Sequence, residues 1–276
     1  MRAAICQMTS GTDPMRNAQV IVNAVQEAKD RGADMLFIPE MAGQLDRDRK
    51  RAAATLVDEA QNIVLAQVRE AAAKVGLWVH LGSLALKDER SDGRWSNRSF
   101  VIDDKGDIRA RYDKIHLFDV DLATGESWRE SSVYGPGECV ITVDTPWARM
   151  GLSICYDLRF PDLYRALTNA GANILLVPSA FTVPTGQAHW HVLLRARAIE
   201  AGCFVIAPAQ VGKHEDGRET YGHSCVVDPW GDILLDMNTE TGLALIDIEM
   251  ERIADVRSRI PALANRRTIP SEVETR

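Results

Sequence analysis

Residues 31–39 read Arg31-Gly32-Ala33-Asp34-Met35-Leu36-Phe37-Ile38-Pro39, and residues 170–178 read Ala170-Gly171-Ala172-Asn173-Ile174-Leu175-Leu176-Val177-Pro178. In each, a glycine that closes a helix is followed by a short polar step, four apolar residues and a proline. A continuous apolar run of that length between breakers is the pattern of a strand buried on both faces. Upstream of the first stretch, Arg2 to Met8 reads as a strand and Asp13-Pro14 as an N-cap followed by the first helical residue. Val20, Ile21, Ala24, Val25 and Ala28 then recur on one helical face. The first stretch therefore ends a β-α-β unit, and its echo ends another. If the halves are related in space, equivalent strand tips meet at one edge of two packed sheets, where α/β proteins place their sites. Two unrelated units sharing only β-α-β grammar would look the same.

Working outward, Ala52 to Lys74 reads as one Ala-rich helix that ends at Gly76 and feeds a strand from Leu77 to Leu86. Residues 98–112 read as two short strands around the turn Asp104-Lys105-Gly106. The stretch 113–138 has little periodicity, and connections of that length are usually functional. Apolar runs recur near 150–154, 174–177, 204–207, 224–227, 233–235 and 243–248, with helices expected over 161–170 and 188–201. Residues 251–276 are polar with isolated apolar positions and read as a docked C-terminal arm.

At 276 residues, against roughly 150 per domain, the chain has room for two domains or for one large domain with two related halves. Its 32 Lys and Arg against 39 Asp and Glu give a net charge of −7. Nucleic acid and anionic membrane surfaces both need a concentrated positive field, so neither is an expected partner. No apolar run has transmembrane length and no secretory pattern opens the sequence, so a cytoplasmic setting is expected. The five cysteines, Cys6, Cys139, Cys155, Cys203 and Cys225, include no CxxC pair and are expected to be thiols, most of them buried. Asn97-Arg98-Ser99 matches a glycosylation sequon and, without a secretory route, is read as coincidence.

Several residues could carry chemistry. Glu40 directly follows Ile38-Pro39, which holds a carboxylate at a strand tip beside apolar neighbours and suits it to accept a proton; a helix cap or an ion pair is the plainer alternative. Cys155 ends Gly151-Leu152-Ser153-Ile154 and precedes a helix expected to open at Pro161. That strand–turn–helix arrangement is the geometry of a nucleophile elbow, with the thiol pKa lowered by a helix N-terminus and nearby cations. A small buried hydrophobe is the alternative, and it suits Cys6. Lys114 opens the long connection between apolar residues and could stabilise an oxyanion, or be a solvated charge. Glu130, before Gly135-Pro136-Gly137, is weak taken alone. His189 and His191, with Cys225 or His223, could ligate a metal, but no HExxH or paired-Cys motif supports that and no metal is expected. A Cys155–His dyad with His116, His189 or His223 is the mechanistic alternative. No GxGxxG or GxxxxGK[ST] stretch supports a nucleotide.

Phe37-Ile38-Pro39-Glu40, Asp113-Lys114-Ile115-His116-Leu117 and Ser153-Ile154-Cys155-Tyr156-Asp157-Leu158-Arg159-Phe160-Pro161 resemble, in order and approximate spacing, the three signature segments of the carbon–nitrogen hydrolase (nitrilase) superfamily. The resemblance continues to about Asp228-Pro229-Trp230-Gly231. It implies a four-layer α-β-β-α sandwich forming a single domain over 1–276, no cofactor, and a homodimer or larger homo-oligomer. It also implies a Glu40–Lys114–Cys155 triad in which Glu40 is the base, Lys114 the oxyanion stabiliser and Cys155 the nucleophile. Glu130 matches a second glutamate that positions substrate. Tyr156 contributes a backbone N–H to the oxyanion, and Arg159, Phe181, Thr182 and Thr185 are candidates to bind substrate. Arg159 is set against a structural ion pair with Asp157, Asp162 or Glu200.

Within the superfamily the 114–121 loop and the 185–190 segment are most similar to the branch of deaminated glutathione amidase and omega-amidase. The implied activity is hydrolysis of the terminal amide of a small carboxylate through a Cys thioester with ammonia release. Deaminated glutathione is the first substrate and 2-oxoglutaramate or succinamate the alternative. Nitrilase or N-carbamoyl hydrolase activity, and a non-catalytic binding homologue, are the further alternatives. Met41 after Glu40 and Ala201-Gly202 after Glu200 depart from the superfamily pattern and leave pocket details open.

Overall fold

In the computed structural model, which describes residues 1–88, 92–121, 125, 127–270 and 275, the first stretch leads into a buried strand at the centre of a sheet. The chain opens with β1 (Arg2–Gln7), α1 (Pro14–Asp30) and β2 (Met35–Ile38). Asp13 caps α1 by accepting from the N–H groups of Met15 and Arg16, and Gly32 takes a φ of 77° to turn the chain into β2. Then come α2 (Arg49–Thr55), α3 (Ile63–Val75), β3 (Trp78–Leu86), β4 (Ser96–Ile102) and β5 (Ile108–Asp113). The long connection carries a two-stranded ribbon, β6 (Asp119–Asp121) with β7 (Ser127–Arg129). The second half holds β8 (Thr142–Asp144), β9 (Arg149–Leu152), α4 (Pro161–Asn169), β10 (Ile174–Leu176), α5 (Val183–Ala201) and β11 (Phe204–Ala207). A hairpin of β12 (Val211–Lys213) and β13 (Glu219–Tyr221) follows, then β14 (Cys225–Val227), β15 (Ile233–Asp236), β16 (Gly242–Asp247) and α6 (Glu251–Arg259).

The strands form two six-stranded sheets, ordered β16-β1-β2-β3-β4-β5 and β15-β14-β11-β10-β9-β8. Each has three parallel strands at its centre, one antiparallel strand outside the first of them and two antiparallel strands outside the third. The registers coincide: Ile5 pairs Phe37 and Phe37 pairs His80 in one sheet, as Leu152 pairs Leu176 and Leu176 pairs Ile206 in the other. The echo in the sequence is therefore a repeat of position, β2 matching β10. Alternate side chains of the central strands serve opposite faces. Ala3, Ile5, Met35 and Phe37 join the core shared with the second sheet, whereas Ala4, Cys6, Leu36 and Ile38 pack beneath α1 and α3. With α4 and α5 packed on the other sheet, this is the four-layer α-β-β-α sandwich expected from the sequence. Gly82 lies where the halves meet: a Cβ there would lie 2.1 Å from the Ile38 carbonyl oxygen and 2.6 Å from both the Pro39 carbonyl carbon and, in the other half, the Pro178 Cβ.

Three expectations need correction. The helix expected over 52–74 is two helices: Asp48 caps α2, the chain turns extended at Leu56, and Asn62 recaps α3 by accepting from Leu65 N–H. Side-chain capping at both starts outweighs the helix propensity of the intervening alanines. Helix α5 starts at Val183 rather than 188, with Pro184 in its first turn. The C-terminal arm is docked, but it opens with a helix whose Ile253 and Val256 are buried; Arg257 bonds the Gly202 carbonyl and Arg266 reaches Thr168 and Asn169. Residues 271–274 and 276 of that arm, and 122–124 and 126 of the long connection, lie outside the described residues. No helix among the described residues is long and apolar enough to cross a membrane.

Candidate active site

Three strand ends converge where the sheets meet. Glu40 follows β2, Lys114 follows β5 and Cys155 follows β9, and each is at most 8% exposed. Lys114 Nζ donates to Glu40 Oε1 at 3.0 Å and to both oxygens of Glu130, at 3.0 and 2.9 Å. The Glu40 carboxylate and the Ala180 N–H are both near enough to act on the titration of the Cys155 thiol. Cys155 sits at φ 49°, a left-handed conformation rare for a residue with a Cβ. Its N–H bonds the Pro178 carbonyl at 3.0 Å, so β9 ends against the tip of β10 and turns there.

The turn is a 3-10 segment, Cys155–Arg159, and α4 begins only at Pro161. Asp157, fully buried, holds it in place. It accepts from Ile154 N–H at 2.9 Å, Tyr112 Oη at 2.7 Å and His116 N–H at 2.9 Å, and its Oδ1 lies 2.7 Å from His116 Nδ1. The expectation of a lowered Cys155 pKa is overturned: burial, then the Glu40 carboxylate, push the thiol well above its usual range, outweighing Lys114. The Cys155–His dyad finds no support either. His116 is engaged with Asp157 and stacks on Phe160, His189 faces Arg159 and His223 faces Asp236.

Burial works most strongly against the Lys114 charge, yet Glu130 and Glu40 together hold its titration well above the ordinary lysine range. Glu130 is itself anchored, its Oε2 accepting from Phe118 N–H at 2.6 Å. Asn97, buried on β4, donates to Glu40 at 3.0 Å and to Glu130 at 3.4 Å. Sequence reasoning passed it over as part of a sequon. The available signal was a polar amide at the start of a strand otherwise bound for the core.

The group lies on the floor of a cavity of about 650 Å³. All nine residues singled out from the sequence line it: Glu40, Lys114, Glu130 and Cys155, and around them Tyr156, Arg159, Phe181, Thr182 and Thr185. Arg159 lies over the rings of Tyr156, at 5.8 Å, and Phe181, at 5.5 Å. The structural ion pair set against it does not form: Asp157 is engaged as above and Glu200 pairs with Arg197 at 2.9 Å. Thr182 and Thr185 hydroxyls bond each other at 2.8 Å. Residues the sequence did not flag complete the walls, among them Phe118, Trp128 and Arg218. His191 and His223 lie apart from the cavity, joined through Asp236 at 2.9 and 3.0 Å.

A family model described as carbon-nitrogen hydrolase matches residues 2–258. The nitrilase and fragile histidine triad fusion protein NitFhit of Caenorhabditis elegans is 39% identical over 266 residues, 96% of this chain and 60% of the relative, so the chain spans well under two thirds of that fusion. The solved structure of that protein superposes with a TM-score of 0.89 at 38% identity, covering 96% of this chain and 65% of the other. Deaminated glutathione amidase of Yersinia enterocolitica is 43% identical over 208 residues, 75% of this chain and 73% of the relative. The protein of that name from Synechocystis sp. is 39% identical over 267 residues, 96% of this chain and 97% of the relative.

Proposed function

Because the chain belongs to the carbon–nitrogen hydrolase family, we propose that it hydrolyses an amide of a small carboxylate through a thioester on Cys155, with deaminated glutathione as substrate. The observation that carries this reading is the buried Glu40–Lys114–Cys155 group on the cavity floor, in which one ammonium joins two carboxylates beside a thiol. The two relatives named deaminated glutathione amidase support the substrate.

The resting nucleophile is a neutral thiol, since burial and Glu40 both disfavour the thiolate. Attack on the amide carbonyl therefore transfers the thiol proton to Glu40 as the carbon–sulfur bond forms. Charge develops on the carbonyl oxygen, and Lys114 Nζ with the Tyr156 N–H stabilises it at fixed positions without reorganising water. Glu130 holds Lys114 from the far side and so orients it. Glu40 passes its proton to the departing nitrogen, the carbon–nitrogen bond breaks and the acyl group stays on sulfur. Glu40 then takes a proton from water, whose oxygen attacks the thioester, and returns a proton to Cys155 as the acid leaves. The departing group differs between the two candidate substrates. 2-Oxoglutaramate is a primary amide and loses ammonia; deaminated glutathione has only secondary amides, so its departing group is the amine of cysteinylglycine, and the ammonia release expected from the sequence is corrected for that substrate.

The test is product formation from deaminated glutathione, read as released cysteinylglycine, by wild-type and Cys155→Ala protein. Turnover confined to the wild type supports the reading, and equal turnover in the variant overturns it. A preference for 2-oxoglutaramate would move the chain to omega-amidase chemistry.

A further inference from the structure

The charged groups that line the cavity are not all engaged. Glu40 and Glu130 both hold Lys114, Asp46 pairs with Arg51 and Arg129 with Asp121. Arg159 and Arg218 differ. Among the described residues Arg159 has no carboxylate partner, and Arg218 engages Asp216 through its N–H and Nε alone, at 3.0 and 2.9 Å. Among the described residues both Nη groups of Arg218 have no hydrogen-bond partner, on a side chain 18% exposed. Arg47, Arg49 and Glu219 also line the cavity but are exposed, so the unused donors of its less exposed wall are those of guanidiniums.

One run of aromatic contacts links these two arginines. Arg218 lies 5.0 Å over the Trp128 ring, Trp128 is 6.3 Å from Phe118 and Phe118 is 5.1 Å from Tyr156. Arg159 lies 5.8 Å from the Tyr156 ring at the other end. Three rings thus separate two forked guanidiniums, and only the Arg159 end belongs to the turn that carries Cys155. Beside Arg218, the indole Nε1 of Trp128 is buried and donates to nothing among the described residues. The Arg218 fork, short of acceptors, is a donor set for a planar anion, and the Trp128 ring it lies over backs it. Position is fixed from behind. Asp216, its carboxylate fully buried, ties Arg218 and also accepts from Arg47 N–H at 2.9 Å. The His214 N–H bonds the Arg218 carbonyl and so closes the β12–β13 hairpin on it.

We propose that Arg218, assisted by Trp128, is a specificity-determining residue that holds a carboxylate on the departing side of the amide, while the Arg159 end receives a carboxylate on the acyl side. The substrate class is then an amide with a carboxylate beyond each end of the scissile bond. This inference rests on the amidase reading above. Deaminated glutathione has such a pair, its oxo-acid carboxylate on the acyl side and its glycine carboxylate on the departing side. 2-Oxoglutaramate has only the first. Both leave the same 2-oxoglutaryl group on Cys155, so a contact to the departing part acts before the thioester forms and is absent from its hydrolysis. The signature is a loss in kcat/KM that depends on the leaving group.

The experiment compares kcat/KM of wild type, Arg218→Met and Arg218→Lys for deaminated glutathione, for its C-terminal carboxamide and for 2-oxoglutaramate. In Arg218→Met the ratio of kcat/KM for deaminated glutathione over that for 2-oxoglutaramate is expected to fall about 10- to 100-fold, the range of a charge-assisted hydrogen-bonded pair. The wild type should prefer carboxylate to carboxamide by a similar factor and the variant should not, with Arg218→Lys between them. Equal losses on all three substrates would overturn the proposal and leave Arg218 a scaffold residue. A second arm does not depend on turnover: titration calorimetry of deaminated glutathione and its carboxamide against Cys155→Ala protein, with and without Arg218→Met. Carboxylate-selective weakening there supports the anion site even if no substrate is turned over, which would sink the amidase reading alone. Unchanged binding sinks the Arg218 assignment whatever the kinetics show.

Discussion

The two sheets match strand for strand and residue for residue in register, yet their tips end in different chemistry. Where β1 runs on through Met8, extended and bridged to Gln210, the matching strand β9 runs on to Cys155 and turns at φ 49°. Where β2 is followed by Pro39-Glu40, β10 is followed by Val177-Pro178-Ser179, with Ser179 at the position of Glu40. The Ser179 hydroxyl only closes a local turn onto the Val177 carbonyl. On the proposed mechanism one half supplies the base and the ammonium, and the other supplies the nucleophile. A duplicated framework places strand ends in pairs, and a side-chain difference within a pair decides which end reacts. The same contrast separates the buried thiols. Cys6, inside β1, is pushed up to about 12 by burial with a lesser push from Glu27, and has no proton acceptor described beside it. Cys155 has Glu40.

The sharpest way to break this comparison is to remove the reactive tip. Cys155→Ala is expected to lower turnover about ten-thousand-fold or more, because no other group in the cavity can form the thioester. The circular dichroism spectrum should be unchanged, and retained turnover would mean that the β9 tip is not the nucleophile. Glu40→Gln keeps the shape and an acceptor for Lys114 but cannot take the thiol proton. It should cost about a hundred- to ten-thousand-fold in kcat. A loss below tenfold would show that another group accepts the proton.

How much of this was legible in the sequence follows from where each residue sits. Glu40 and Cys155 come after apolar runs that mark strands and Lys114 opens the long connection, but each had a plainer reading on position alone, and only the resemblance of the three segments joined them. The equivalence of β2 and β10 was legible as an echo but not as a relation in space, because pairing order depends on contacts far apart in sequence. Asn97 was missed for the same reason. It reaches Glu40 and Glu130 only because β4 lies between β3 and β5, and nothing local distinguishes it from a sequon. Arg218 and Trp128 are 90 residues apart and meet only when the β12–β13 hairpin folds over the long connection. The break between α2 and α3 was locally encoded, in Asp48 and Asn62, but hidden by an alanine-rich composition that favours one helix.

Gly82 offers a mid-sized test, because there the Ile38-Pro39 backbone and the Pro178 ring leave no room for a side chain. A Cβ would meet backbone at 2.1 Å, so the neighbours would have to move rather than rotate. Gly82→Ala should destabilise the protein by about 3 kcal/mol, at the upper end of overpacking effects. It should also reduce kcat, since Glu40 directly follows the Pro39 that would be displaced. Thermal unfolding together with initial rates checks both. A full-strength enzyme with unchanged Tm would show that the sheet contact does not set the geometry of the site.

The smallest expected effect comes from a mismatch in the core itself. His80, on β3, occupies the register position of Ile206 on β11, and burial pushes its pKa down to about 3. Its Nε2 lies 2.9 Å from Ser99 Oγ, and Nδ1 has no partner among the described residues, so the native state holds the ring neutral. An unfolded histidine titrates near 6.5. Because the folded pKa is depressed, the unfolded chain binds the proton first. Stability is full above about pH 6.5 and falls as the pH drops, with the loss complete only near pH 3. Between pH 7 and pH 5 the group should cost about 2 kcal/mol. His80→Ile, which copies the second sheet into the first, should remove that part of the acid sensitivity while leaving the contribution of the other titrating groups. Urea unfolding of both proteins at pH 7 and pH 5 gives the difference directly. Equal pH dependence in the two would mean that the histidine is hydrated or protonated in the folded state, and that the two sheets differ less in their interiors than their side chains suggest.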